Sequence, residues 1–248
     1  MLITGLLVLL TVVALPSLHM SSTSATRMSA LVLASTSALS CHASSSLALG
    51  SGISLYNGLM HATPTSYAID ALLGLIGTLA LTPWAAITLL NAAMPMTTST
   101  VFTLLPTNTY YALLVLFSVS GSSLLASSTS LLALYLSLEL QSFGVYVLAA
   151  LYRDSETATD AGLTYFLLGG LSSCLILLGS AQLYATLGVV SLDQVYTLLT
   201  VGPSGSLATP IGFSLTVLAA GLCFKIAAAP FHQWAPDVYD RVPTIVST

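Results

Sequence analysis

The stretch GLCFKIAAAPFHQWAPDVYD, residues 221–240, holds the only lysine of the chain, Lys225, in an apolar run five residues before Pro230. A proline inside a helix removes one backbone hydrogen bond and clashes with the carbonyl four residues back, here that of Ile226. A second proline, Pro236, closes the motif PFHQWAP. The helix is therefore predicted to break just after Lys225. At membrane depth a broken helix survives only where it is buried in protein or lines a wet cavity. Such interruptions mark binding sites in transporters.

Composition supplies the membrane. The 248 residues are 56% hydrophobic and 5% charged, with a mean hydropathy of +0.96. A soluble domain carries about a quarter charged residues, so a chain this poor in charge belongs in lipid. The formal net charge of −4 offers nothing to nucleic acid. Cys41, Cys174 and Cys223 are too far apart for a disulfide framework or a metal site and read as small packing residues. No glycine-rich phosphate loop, nucleophile elbow or metal spacing occurs, so no redox or hydrolytic chemistry and no cofactor is expected in this chain. The opening MLITGLLVLLTVVALP lacks the basic residues of a signal or transit peptide. It reads as a retained helix, which suits a protein made in the compartment that uses it.

A spanning helix needs about 20 mostly apolar residues. Seven candidates follow, near 2–18, 28–49, 67–93, 110–127, 130–152, 160–187 and 209–231, and PTIVST starts an eighth. The second is diluted by serine, which helices in lipid tolerate through hydroxyl bonds. ASSTS, residues 126–130, is a weak break, required because 110–152 is too long for one crossing. On this count Arg27, Arg153 and Arg241 all follow odd-numbered spans and share one face, as the positive-inside rule asks. Asp70 and Asp193 fall on the opposite face, where SLDQVYTLL, residues 191–199, forms a short surface helix.

Glu139 lies in the middle of the fifth span, where a charge costs about 2.5 to 3.5 kcal/mol on insertion scales. Charged residues in spans face the bundle interior and pair with one another. Glu139 and Lys225, the sole deep acid and lysine, are thus each other's natural partner. Two readings compete: a proton or ion path, and a structural ion pair that only fixes helix packing. His232, just past the break, is a candidate relay near neutral pH, though a lone histidine equally serves as a hydrogen-bonded interface residue. His42 reads as a satisfied polar residue. Asp154, Glu156 and Asp160 read as a solvated loop, and Gly169-Gly170 with Ser172-Ser173 as close helix packing.

The stretches LYLSLELQSFGVYVLAALYRDSETATDAGLTYFLLGGLSS, residues 134–173, and FKIAAAPFHQWAPDVYDRVPT, residues 224–244, resemble the subunit 2 family of respiratory complex I, the proton-pumping NADH:ubiquinone oxidoreductase. The resemblance is strong from about 110 to 244. The block PFHxWxPD is shared by antiporter-like subunits in general, while VYDRVPT and ELQSF…LYRDSE point to subunit 2. Thr164 stands where a lysine is usual and Arg241 where a glycine is usual. The resemblance implies an all-α polytopic membrane protein of about seven transmembrane helices plus the start of an eighth, with a discontinuous seventh. Residues 1–109 would be three leading helices, and 110–248 the first inverted repeat. Glu139, on the fifth span, and Lys225, on the seventh, take the family's positions for its paired carboxylate and lysine. The next family lysines would lie beyond Thr248. The resemblance also implies a multi-pass place in the mitochondrial inner membrane, organelle encoding and proton translocation. NADH, flavin, iron–sulfur clusters and quinone would sit in other subunits. Expected partners are the other complex I membrane subunits, membrane lipids and a companion chain with the C-terminal half. The alternatives are another antiporter-like subunit or cation/proton antiporter relative, and a structural membrane subunit without its own ion path.

Overall fold

The computed structural model describes residues 1–15, 22–46, 52–93, 109–152, 155–201 and 208–247. The chain divides into two compact units, one of residues 1–51 and 63–126, the other of residues 52–62 and 127–248.

The first unit holds α1 (Leu2–Ala14), α2 (Ser22–Ser46), α3 (Pro64–Ala93) and α4 (Thr109–Ser127). Small residues let its helices close. A methyl on Gly5 of α1 would strike Val32 of α2, and one on Gly74 of α3 would lie 3.2 Å from the Leu33 carbonyl of α2. Gly77 of α3 sits between Leu33 and Val119 of α4. Leu33, Leu81 and Leu116 are fully buried. The serines of α2 return their hydroxyls to carbonyls one turn back, as Ser35, Ser37 and Ser40 do, which removes most of the penalty of serine in lipid.

The second unit begins with a hairpin that the all-α reading did not contain. β1 (Ile53–Leu55) pairs antiparallel with β2 (Met60–Ala62) in the register Ile53 to Ala62, Ser54 to His61 and Leu55 to Met60. The turn runs through Tyr56, Asn57 and Gly58, all with positive φ, a conformation that asparagine and glycine accept at little steric cost. Then follow α5 (Leu131–Ala149), α6 (Glu156–Leu187), α7 (Leu192–Val201), α8 (Ala208–Lys225), α9 (Trp234–Arg241) and α10 (Thr244–Ser247).

The weak break before α5 is real, and Ser130 makes it so. Its backbone is extended, and its hydroxyl accepts the Ala133 N–H at 3.1 Å to cap α5. The segment is also laced to its neighbours. Thr129 donates its N–H to the Leu59 carbonyl at 3.2 Å and its hydroxyl to the Gly58 carbonyl at 2.8 Å. Leu131 donates to Val190 at 3.0 Å, and Leu192 donates back to Thr129 at 2.9 Å. α6 is capped by Ser155 at its start and ends on Gly188 in the left-handed region. α7 fills the expected short amphipathic stretch: Leu192, Val195 and Leu199 pack with Leu131, Leu183 and Ile211.

Among the described residues, five helices are long and apolar enough to cross a membrane: 64–82 within α3, 110–127 within α4, then α5, α6 and α8. Of the two other expected spans, α1 has 13 residues, and α2 has 25 but is rich in serine. Arg27 lies inside α2, exposed, while Arg153 and Asp154 lie outside the described residues. Asp70 lies two turns into α3, within 64–82, with Ser123 of α4 as hydrogen-bond partner. Cys41 and Cys174 are exposed instead of packed. Glu156 and Asp160 are not loop residues but part of the first turns of α6. Asp160 pairs with Arg241 of α9, because α9 folds back over the start of α6. There Val238 and Val242 pack on Ala149 and Ala161.

Candidate functional site

The site sits where α5, α6 and α8 meet in the second unit. α6 and α8 approach at backbone distance. A methyl on Gly179 of α6 would lie 2.7 Å from the Leu218 nitrogen, and one on Gly221 of α8 would lie 3.0 Å from the Ser172 carbonyl. Such small-residue contacts bring α8 close enough for its last side chain to reach across α6 to α5.

That side chain is Lys225. α8 ends on it, and regular helical bonding does not resume until Trp234. Between them, Ile226 N–H reaches Leu222, Ala227 N–H reaches Phe224, and Ala228 N–H reaches Cys223. Ala227 has a φ of 57°, and the Ala229–Pro230 bond is cis. The break, between the end of α8 at Lys225 and the start of α9 at Trp234, lies in the stretch around Pro230. Trp234 covers it: its indole N–H donates to the Phe224 carbonyl at 3.0 Å, and its ring stacks on Tyr165 at 5.0 Å between centroids. Tyr165 meets Tyr146 edge-on at 4.7 Å.

Lys225 Nζ donates to Glu139 Oε1 at 2.7 Å. The lysine side chain is 13% exposed and the glutamate 29%, so solvent screens the pair little. A cation on the last residue of a helix also meets the negative end of its dipole. Ser173 of α6 completes the site: its hydroxyl donates to the same Glu139 oxygen and receives a longer bond, 3.3 Å, from Lys225 Nζ. Sequence reasoning read Ser173 as packing. Its signal was Gly169 one turn earlier: a glycine there lets Tyr146 of α5 close on α6, and Ser173 lies on the same face.

Beside the pair lies a cavity of about 270 Å³ lined in part by Lys225, Gln141, Ser142, Tyr146, Tyr165 and Ser172. Polar groups share its wall with Leu138, Val145, Phe224, Ile226 and Trp234, and it is large enough for several waters. His232 lies in the interrupted segment and is exposed; the hydrogen bonds at the pair do not involve it. The structure thus brings two of the three expected site residues together and leaves the third outside.

Comparison with known proteins agrees with this architecture. Residues 128–248 match the family model described as NADH:quinone oxidoreductase/Mrp antiporter, transmembrane. The whole chain aligns with NADH-ubiquinone oxidoreductase chain 2 of Rhizopus oryzae at 41% identity, covering 48% of that protein. NADH-quinone oxidoreductase subunit N of Azorhizobium caulinodans is 44% identical over 55% of this chain and 28% of its own length. Among solved structures, a chain of respiratory complex I from Thermus thermophilus with bound aureothin superposes with a TM-score of 0.72 at 27% identity, over 100% of this chain and 49% of that one. A chain of the Mrp complex from Dietzia sp., at 18% identity and a TM-score of 0.73, shares the fold over 99% of this chain and 43% of its own. The chain spans about half or less of the length of these relatives.

Proposed function

Since the chain is homologous to the antiporter-like subunit 2/N of complex I, we propose that it translocates protons as part of that membrane arm, through Glu139 and Lys225. The single observation that carries this reading is the direct contact of the pair at the point where α8 breaks, beside a cavity partly lined by polar groups. Charged groups in membrane spans mark ion paths, and a lysine can give up its proton where an arginine cannot.

In this reading Glu139 holds the Lys225 proton while the two are close. When they separate, the ammonium loses its counter-charge and releases its proton towards water or the next acceptor. The open backbone after Lys225 lets that end of α8 shift without breaking a regular helix. His232 remains a candidate relay on the exposed side of the break. Residues 1–109 form the leading helices and 110–248 the first repeat. The rest of the relatives' length, on the same chain or on a companion polypeptide, supplies further intramembrane acceptors. The chain works among other complex I membrane subunits in the mitochondrial inner membrane. NADH, flavin, iron–sulfur clusters and quinone belong to other subunits.

The test is Glu139→Gln in the intact complex, reconstituted into vesicles. The expected result is normal assembly and NADH oxidation with a marked drop in protons moved per NADH. Loss of assembly with normal pumping by the residual enzyme would instead favour a purely structural ion pair, and an unchanged ratio would overturn the proposal.

A further inference from the structure

We propose that Ser173 is a positioning residue that sets how firmly Lys225 is held, by turning its single hydroxyl proton between two acceptors; this rests on the proton-exchange reading above. A serine hydroxyl has one hydrogen to give and two lone pairs to accept with. The Ser173 hydroxyl has two acceptors in reach: Glu139 Oε1 across the helix interface and the Gly169 carbonyl, 3.0 Å away within α6. It can serve only one at a time. The residue is buried, so water does not compete freely for the bond.

The two positions do different things to the pair. With the proton turned to Glu139, Oε1 has two donors, Ser173 and Lys225, and the serine oxygen faces the ammonium at 3.3 Å. With the proton turned to Gly169, Oε1 depends on Lys225 alone. A hydrogen bond to an ionised acceptor is about twice as strong as a neutral one, so the first position is favoured while Glu139 is charged. It also leaves Glu139 with a partner when Lys225 departs. Ser173 therefore lowers the barrier to separating the pair. The other titratable groups around it are Tyr135 and Tyr146 of α5, which feel Glu139, and Cys174 of α6. The tyrosines carry no formal charge at neutral pH, and Glu139 and Lys225 are the charges Ser173 addresses.

The experiment is proton pumping by the intact reconstituted complex across a pH series. Ser173→Ala removes the shared donor, so Lys225 holds its proton more firmly. Pumping should fall about tenfold at neutral pH, the size of one hydrogen bond to a charged group. Its optimum should move up by about one pH unit, because alkaline conditions favour release. Ser173→Thr keeps the hydroxyl and should restore both. If the alanine variant assembles poorly, Ser173→Cys, of similar shape and a weak donor, should show the same upward shift. An equal fall at every pH, no change, or no rescue by threonine would overturn the role of Ser173. That failure is distinct from failure of the underlying reading, because Glu139→Gln would still lower the protons moved per NADH.

Discussion

At the scale of single residues, a lysine can do what an arginine cannot: give up its proton. Lys225→Arg keeps a cation opposite Glu139 and should preserve assembly. A guanidinium stays protonated at any accessible pH, so pumping should be largely lost, as vesicle acidification would show. Normal pumping by that variant would mean that the pair only holds the helices together. The pair was legible from sequence because charge is so scarce here: a single lysine, and Glu139 in the middle of an apolar run, leave little choice of partner. Ser173 was not, because the chain is full of serines and most of those described turn back to their own helix. Only the contact between α5 and α6 tells Ser173 from the rest.

At the scale of elements, proline and glycine do the positioning. The break after Lys225 could be read from Pro230 alone, because the rule is local. The covering role of Trp234 could not, since it requires the chain to turn back by ten residues. Pro230→Ala should let α8 run on past Lys225 and lower turnover; unchanged pumping would make the break incidental. Gly221→Ala tests the other side of the same element. Its methyl would meet Ile176 and the Ser172 carbonyl at 2.8 to 3.0 Å, so α8 must move away from α6. Overpacking of this kind costs about 1 to 3 kcal/mol. We expect a lower melting temperature of the complex and a weakened pair, with pumping falling more than NADH oxidation. The hairpin escaped the sequence reading because its strands have three residues each. Its one cue was Asn57-Gly58, a turn dipeptide in a stretch taken for a connection between spans.

At the scale of the molecule, composition announced the membrane, and the helices agree. Many large apolar side chains face outward, among them Leu72, Leu75, Ile76 and Leu79 on α3 and Leu163, Phe166, Leu167 and Leu171 on α6. What composition could not give is the division into units. That depends on which helix meets which, and membrane helices meet through small residues that also occur on lipid-facing sides, as Gly170 and Gly212 do with nothing near them. The span count was least legible in α2, where hydropathy and helix length disagree. Amide hydrogen exchange on the assembled complex should grade the second unit. Thr129, Leu131 and Leu192 should exchange slowly, held by the bonds around Ser130. The amides of the interrupted stretch 226–232, Pro230 having none, should exchange much faster. Equal protection at both places would contradict the arrangement.

The lacing around Thr129 has a mechanical meaning. It clasps the start of α5, the connection after α6 and the hairpin together by hydrogen bonds, about two turns along α5 from Glu139. Glu139 therefore rides on a helix pinned at its start, whereas Lys225 stands on the interrupted end of another, α8. Of the two partners the acid has the anchored mount, so a change in their spacing falls first to the end of α8.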